Sequence, residues 1–203
     1  MEPDGELLER WRAGDKAAGT ALFARHFASI RRFFASKIGT SDVEDLVQRT
    51  FMGCVEASER FREDASFRTF LFAIAKRQLY KYLRDRARKE AREEPDFTMS
   101  SVQALGHSPS SVLAAEQERS VLLTALQRVS VEDQTLLELH YWEQLAAPEI
   151  AEVLGISSGA VRTRLHRARR ELEDVVSTLL LPSGRTASSI DIDAIATAVG
   201  SDV

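Results

Sequence analysis

The sequence predicts an all-α fold: two small helical domains joined by a flexible acidic linker, the second domain containing a helix-turn-helix. Three observations predict it. Apolar residues recur at three- and four-residue spacing in one segment after another, and no run alternates strictly enough to mark a strand. The periodicity lapses once, over residues 93–112, into a Glu-, Pro- and Ser-rich stretch. Charge changes sign at the same place: residues 60–92 hold eleven Lys or Arg against four Asp or Glu, and residues 93–155 hold two against eleven.

At 203 residues, with 44% hydrophobic and 29% charged side chains, the chain has room for one large or two small domains of ordinary composition. No apolar run approaches the roughly 18 residues of a membrane span, and the first residues, Met-Glu-Pro-Asp-Gly-Glu, are acidic where a secretory signal is basic and then apolar. A cytoplasmic protein is expected. The single cysteine, Cys54, excludes an internal disulfide framework, and its neighbours Phe51, Met52 and Val55 predict a buried small hydrophobe. A net charge of −4 hides the segregation described above, which fits a protein that grips a polyanion at separate places.

The first helix is predicted over 6–13, with a turn at Gly14 and Asp15. A longer helix from Lys16 to about Ile38, stopped by Gly39, carries Leu22, Phe23, Phe27, Ile30, Phe33 and Phe34 as a core stripe. Ser41 and Glu44 have the spacing of a capping box, and the helix they open places Val43, Leu46, Val47, Phe51 and Val55 on one face. Its other face offers Asp42, Asp45, Gln48 and Arg49, which solvent or a protein could meet equally well. A short polar loop, 61–66, precedes a long helix with Phe67, Phe70, Leu71, Ile74, Leu79 and Leu83 as its buried set. The remaining positions mix Arg68, Lys76, Arg77, Lys81, Arg84, Arg86 and Arg88 with Phe72, Tyr80 and Tyr82. Rings beside cations suit stacked bases and neutralised phosphates, although an amphipathic helix with a solvated outer face has the same pattern.

Beyond the linker, helices are predicted over 114–129 and, after the Ser130-x-x-Asp133 start, over 132–141. Residues 148–172 then read as a helix-turn-helix. Ile150, Ala151 and Leu154 share a face, Gly155 permits the positive φ that ends a helix, and Ser157 can cap the next one. In that next helix Val161, Leu165, Ala168 and Leu172 line one side. The far side is small at its start and basic afterwards, which lets the backbone approach base edges while arginines reach phosphate or guanine. From Ser157 to Arg170 there are five arginines and no acid, where a surface tuned only for solubility would mix signs. The pattern weakens after about Val176, with a last candidate helix over 190–199.

No Gly-rich phosphate loop, Cys-x-x-Cys or His-Glu-x-x-His occurs, and His26, His107, His140 and His166 are isolated. Neither a metal, a cofactor nor a catalytic site is expected.

Taken together, Asp45-Leu46-Val47-Gln48-Arg49-Thr50-Phe51, then Arg60-Phe61 and Ala65-Ser66-Phe67-Arg68-Thr69-Phe70-Leu71-Phe72, then residues 150–168 resemble, in order, the motifs of bacterial sigma factors of the extracytoplasmic-function (ECF) group of the sigma-70 superfamily. Arg49 and Val55 depart from the family pattern, which often has an acidic residue and a Trp there. The resemblance implies a factor that directs core RNA polymerase to promoters and helps melt them. It implies a region 2-like domain over 1–92, a linker over 93–112, a region 4-like domain over 113–176, and an extension over 177–203 that is regulatory, disordered or merely packed.

By the same resemblance, Asp42, Asp45, Leu46, Gln48 and Arg49 would bind core polymerase. Phe61, Arg62, Ser66, Arg68, Lys76, Arg77, Tyr80, Lys81 and Arg84 would take the minus-ten element. Ser158, Gly159, Arg162, Thr163, Arg164, His166, Arg167 and Arg170 would read the minus-thirty-five element. The implied partners are the beta-prime clamp and beta flap of the polymerase, promoter DNA and an anti-sigma factor.

Overall fold

The structure, a computed structural model, describes residues 2–58, 61, 66–91 and 111–180, with side chains from residue 119 onward in the last stretch. The described residues form α-helices and a single 3-10 turn, with no strand among them. Four helices build the first domain: α1 (Asp4–Arg12), α2 (Lys16–Ala35), α3 (Val43–Ala57) and α4 (Phe67–Glu90). Four more build the second: α5 (Ser111–Leu126), α6 (Val131–Tyr141), α7 (Ala147–Leu154) and α8 (Ser158–Leu180). The predicted last helix, 190–199, lies outside the described residues.

The helix starts follow from the sequence. The Asp15 carboxylate accepts the N–H groups of Ala17 and Ala18 at 3.0 and 3.2 Å and so starts α2. Ser66 and Ser130 do the same for α4 and α6, each accepting an N–H three residues on at 3.1 Å. At Gly19 of α2, α1 comes close enough to forbid a side chain: a Cβ there would stand 2.5 Å from Trp11 Cδ1. Asp4 completes this pairing by accepting from Arg25 and contacting His26 Nε2 at 2.7 Å.

The core of the first domain is Leu22, Ile30, Phe33, Phe34, Leu46, Leu71, Phe72 and Leu79, all at most 3% exposed. In the second, Leu136, Leu137, Leu139, Ile150 and Leu172 are fully covered.

Three expectations are corrected. Phe72, assigned to the outer face of α4, is fully buried and meets Phe33 edge-on at 5.6 Å. The helix packs on α3 on one side and α7 on another, so more than one stripe is covered. Phe27 and Val55, assigned to the core, are 45% and 48% exposed. The Ser41–Glu44 capping box does not form: a 3-10 turn, Thr40–Asp42, precedes α3, and Glu44 accepts from Arg31 at 2.8 Å.

Candidate nucleic-acid interface

The helix-turn-helix is α7 and α8. Gly155 takes the left-handed conformation, φ 72°, and Ser157 Oγ accepts the Ala160 N–H at 3.2 Å, so the turn chemistry matches its residues. Val161, Ala168 and Leu172 are fully buried on the inner side of α8, with Leu165 half-buried. Gly159, Arg162, Thr163, His166, Arg167 and Arg170 stand exposed on the outer side, and Ser158 is half-buried. The Thr163 hydroxyl donates to the Gly159 carbonyl at 3.2 Å.

Arg164 is placed differently from its neighbours. Its Nε donates to Asp133 at 2.8 Å and its Nη2 to Glu132, which clamps α8 onto the start of α6. Beside the exposed arginines runs a groove of about 580 Å³ between the His140–Tyr141 pair and Arg162, His166, Arg169 and Arg170.

On α4, Arg77, Lys81 and Arg84 are exposed, and Tyr80 is half-buried. Burial pushes the Tyr80 phenol up to about 12. Phe61 packs on Phe70, ring centroids 4.6 Å apart, and the Arg12 guanidinium lies over the Phe61 ring at 5.6 Å. Ser66, Arg68 and Lys76 point toward the second domain. Ser66 Oγ donates to Glu149 at 3.4 Å, Arg68 donates to the Glu143 carboxylate at 2.8 Å, and Lys76 donates to the carbonyls of Val153 and Leu154 at 3.2 and 2.7 Å. Arg62 lies outside the described residues.

The third surface is on α3. At about 100° per residue, Asp45, Gln48, Arg49, Met52 and Glu56 fall within about 60° of one direction, and all are exposed. Asp45 and Arg49 pair at 2.7 Å. Met52 is 54% exposed, and Val55 lies next to it. Phe27 continues the apolar area across α2 by stacking on Phe51, 6.3 Å away and nearly parallel. Sequence reasoning missed Met52, though it sits one turn beyond Gln48 on the same stripe. Leu46, by contrast, is in the core, and Asp42 accepts the Tyr82 hydroxyl at 2.7 Å.

These surfaces coincide with two family models. Residues 22–89 match sigma-70 region 2, and residues 119–172 match sigma-70 region 4. The chain is 26% identical to the ECF RNA polymerase sigma-E factor of Escherichia coli K12 over 183 residues, covering 87% of this chain and 96% of that one. The Haemophilus influenzae factor of the same name is 27% identical over 184 residues, with 87% and 97% covered. The chain belongs to the ECF group of the sigma-70 family.

Among solved structures, CnrH in complex with the cytosolic domain of CnrY superposes with a TM-score of 0.63 at 25% identity, covering 91% of this chain and all of that one. The sigma factor RpoE of Bartonella quintana, solved with the anti-sigma factor NepR, gives the same TM-score at 20% identity, with 82% and 98% covered, and supports the fold. In this sigma factor the region 2 match runs from α2 to α4 and so contains both the α3 stripe and the basic face of α4. The region 4 match contains α6, α7 and most of α8.

Proposed function

We propose that this ECF sigma factor is the promoter-specificity subunit of RNA polymerase, acting in the cytoplasm and having no catalytic activity of its own. Core polymerase docks on the α3 stripe, with Asp45, Gln48 and Arg49 joined by Met52. Arg77, Lys81 and Arg84 of α4, with Ser66, Arg68 and Lys76, hold the backbone of the opened minus-ten strand, while Phe61 and Tyr80 supply aromatic faces. The outer side of α8 enters the major groove of the minus-thirty-five element, where Ser158, Gly159 and Thr163 allow close approach and Arg162, His166, Arg167 and Arg170 reach base edges and phosphates. Arg164 contributes indirectly by fixing α8 on α6.

The observation that carries this reading is the pairing of a recognition helix that is basic and free of acid through Arg170 with a second basic surface, each inside the matching sigma-70 region. Either surface alone would suit many DNA-binding proteins. Run-off transcription with reconstituted core polymerase tests it: start sites downstream of two spaced elements are expected, and failure of the chain to bind core polymerase would sink it.

A further inference from the structure

α1 carries none of the residues assigned above to DNA or polymerase, yet its seat on the first domain is keyed at both ends. Asp4 at its start accepts from Arg25 and contacts His26. Near its end the Trp11 ring occupies the space that Gly19 leaves and meets Phe23 edge-on at 5.0 Å, and Phe23 in turn meets Phe51 of α3 at 5.0 Å. These contacts set the position of the next residue, Arg12, the last of α1.

Arg12 reaches across to the end of α3. Its Nε and Nη2 donate to the Ser58 carbonyl at 3.2 and 2.7 Å, and Nη2 also donates to the Phe61 carbonyl at 2.7 Å. Ser58 caps α3, so the guanidinium lies where helix carbonyls lack partners and the helix dipole favours a cation. The Ser58 carbonyl also accepts the Phe61 N–H at 3.3 Å, and Ser58 Oγ donates to the Val55 carbonyl at 2.7 Å. Both backbone polar groups of Phe61 are therefore engaged. Its ring lies under the same guanidinium, 5.6 Å from the centroid, and packs on Phe70 at 4.6 Å. Phe61 is thus tied to three helices at once: α1 through Arg12, α3 through Ser58 and α4 through Phe70.

We propose that Arg12 is a positioning residue for strand capture: α1 acts as a strut whose last guanidinium fixes the backbone and ring of Phe61, so that the ring is set before an unpaired base of the minus-ten strand stacks on it. The inference rests on the minus-ten role proposed above for Phe61. Its physical basis is that freedom lost on binding weakens binding, so a platform held beforehand captures a base more tightly than one ordered by the base itself. A planar fork is needed to bridge two carbonyls, and a lysine, with the same charge, has none.

Holoenzyme reconstituted with full-length variants tests this. Arg12→Ala and Arg12→Lys are both expected to slow open-complex formation about tenfold, the order of one weakened base–ring stack, with binding to the upstream duplex unchanged. Phe61→Ala is expected to cost about the same, and adding Arg12→Ala to it to cost little more, because two residues that act through one ring are not additive. Recovery of the wild-type rate by Arg12→Lys overturns the proposal, since charge alone would then suffice, and so does a full further tenfold loss in the double variant. Fluorine NMR of the free chain with 4-fluorophenylalanine at position 61 reads the ring directly. Both Arg12 variants are expected to move its resonance toward that of the free amino acid, and an unchanged resonance overturns the proposal whatever the transcription result. Wild-type open-complex formation by Phe61→Ala refutes the minus-ten role of Phe61 instead, while the fluorine spectrum still decides whether Arg12 holds the ring.

Discussion

On α8, Arg162, His166, Arg167 and Arg170 stand exposed, while on α4, Ser66, Arg68 and Lys76 each touch the second domain. The two faces carry similar chemistry in the sequence, yet only on α4 does the other domain engage part of the basic set, leaving Arg77, Lys81 and Arg84 exposed. Availability comes from what packs against a helix, which the helix's own residues do not encode. The acidic segment that precedes α8 in the chain supplies the cover, since Glu138, Glu143 and Glu149 all come from it. Opposite charges placed far apart in the sequence thus meet in the fold.

The largest expected effect separates the two sides of α8. Leu172→Ala removes a fully buried side chain and should destabilise the second domain by about 2–5 kcal/mol, whereas Arg170→Ala on the outer side should change stability by less than about 0.5 kcal/mol. Urea titration followed by circular dichroism measures both. Equal losses would mean that the outer side of α8 is packed, and the contrast between an open α8 and a covered α4 would collapse.

Next in size is the loss of DNA contacts on the open face. Arg162→Ala with Arg167→Ala should weaken holoenzyme binding to the upstream element about a hundredfold, at roughly 1–3 kcal/mol for each direct contact. The slope of log affinity against log salt should become shallower by about 2 if both arginines reach phosphates. Anisotropy titrations at several salt concentrations give both numbers. Arg77→Ala with Lys81→Ala, the exposed cations of α4, should instead slow open-complex formation by the holoenzyme about tenfold, and leave upstream duplex binding unchanged. Permanganate footprinting of the minus-ten region reads the first, and gel shift of the upstream duplex reads the second.

Much of this was legible in the sequence wherever one helix sufficed to argue it. Gly155 and Ser157 specified the turn between α7 and α8, and Val161, Ala168 and Leu172 specified which side of α8 is core. The errors share a cause: they occur where a helix has two neighbours or none. Phe72 read as outward because a single stripe was assumed for a helix covered by both α3 and α7. Phe27 and Val55 read as inward because their spacing fits the stripe, although no element lies over them among the described residues. Arg164 lies within the basic run of α8 and shares its spacing, yet Asp133 and Glu132, some thirty residues earlier, hold it. Pairings such as Arg68 with Glu143 join distant positions and leave no periodic trace.

The smallest effect tests whether the cover on α4 is only a surface matter. Cys54 of α3 is fully buried in the core, and burial pushes its thiol from an ordinary 9.0 up to about 12. The folded chain therefore keeps a proton that the unfolded chain loses as pH rises past about 9, so this group's contribution to stability falls from there toward pH 12. Replacing Cys54 with Ala should flatten the decline of the thermal midpoint between pH 8 and pH 10 relative to wild type. At pH 8 the wild-type thiol should also stay inert to a disulfide reagent until the chain is denatured, because the thiolate is the reactive form. Glu143→Gln should leave that inertness unchanged, since parting the domains uncovers α4's outer face and not the α3–α4 seam. A thiol that becomes reactive in the Gln variant would show instead that the second domain helps hold the first one together, making the cover part of the core.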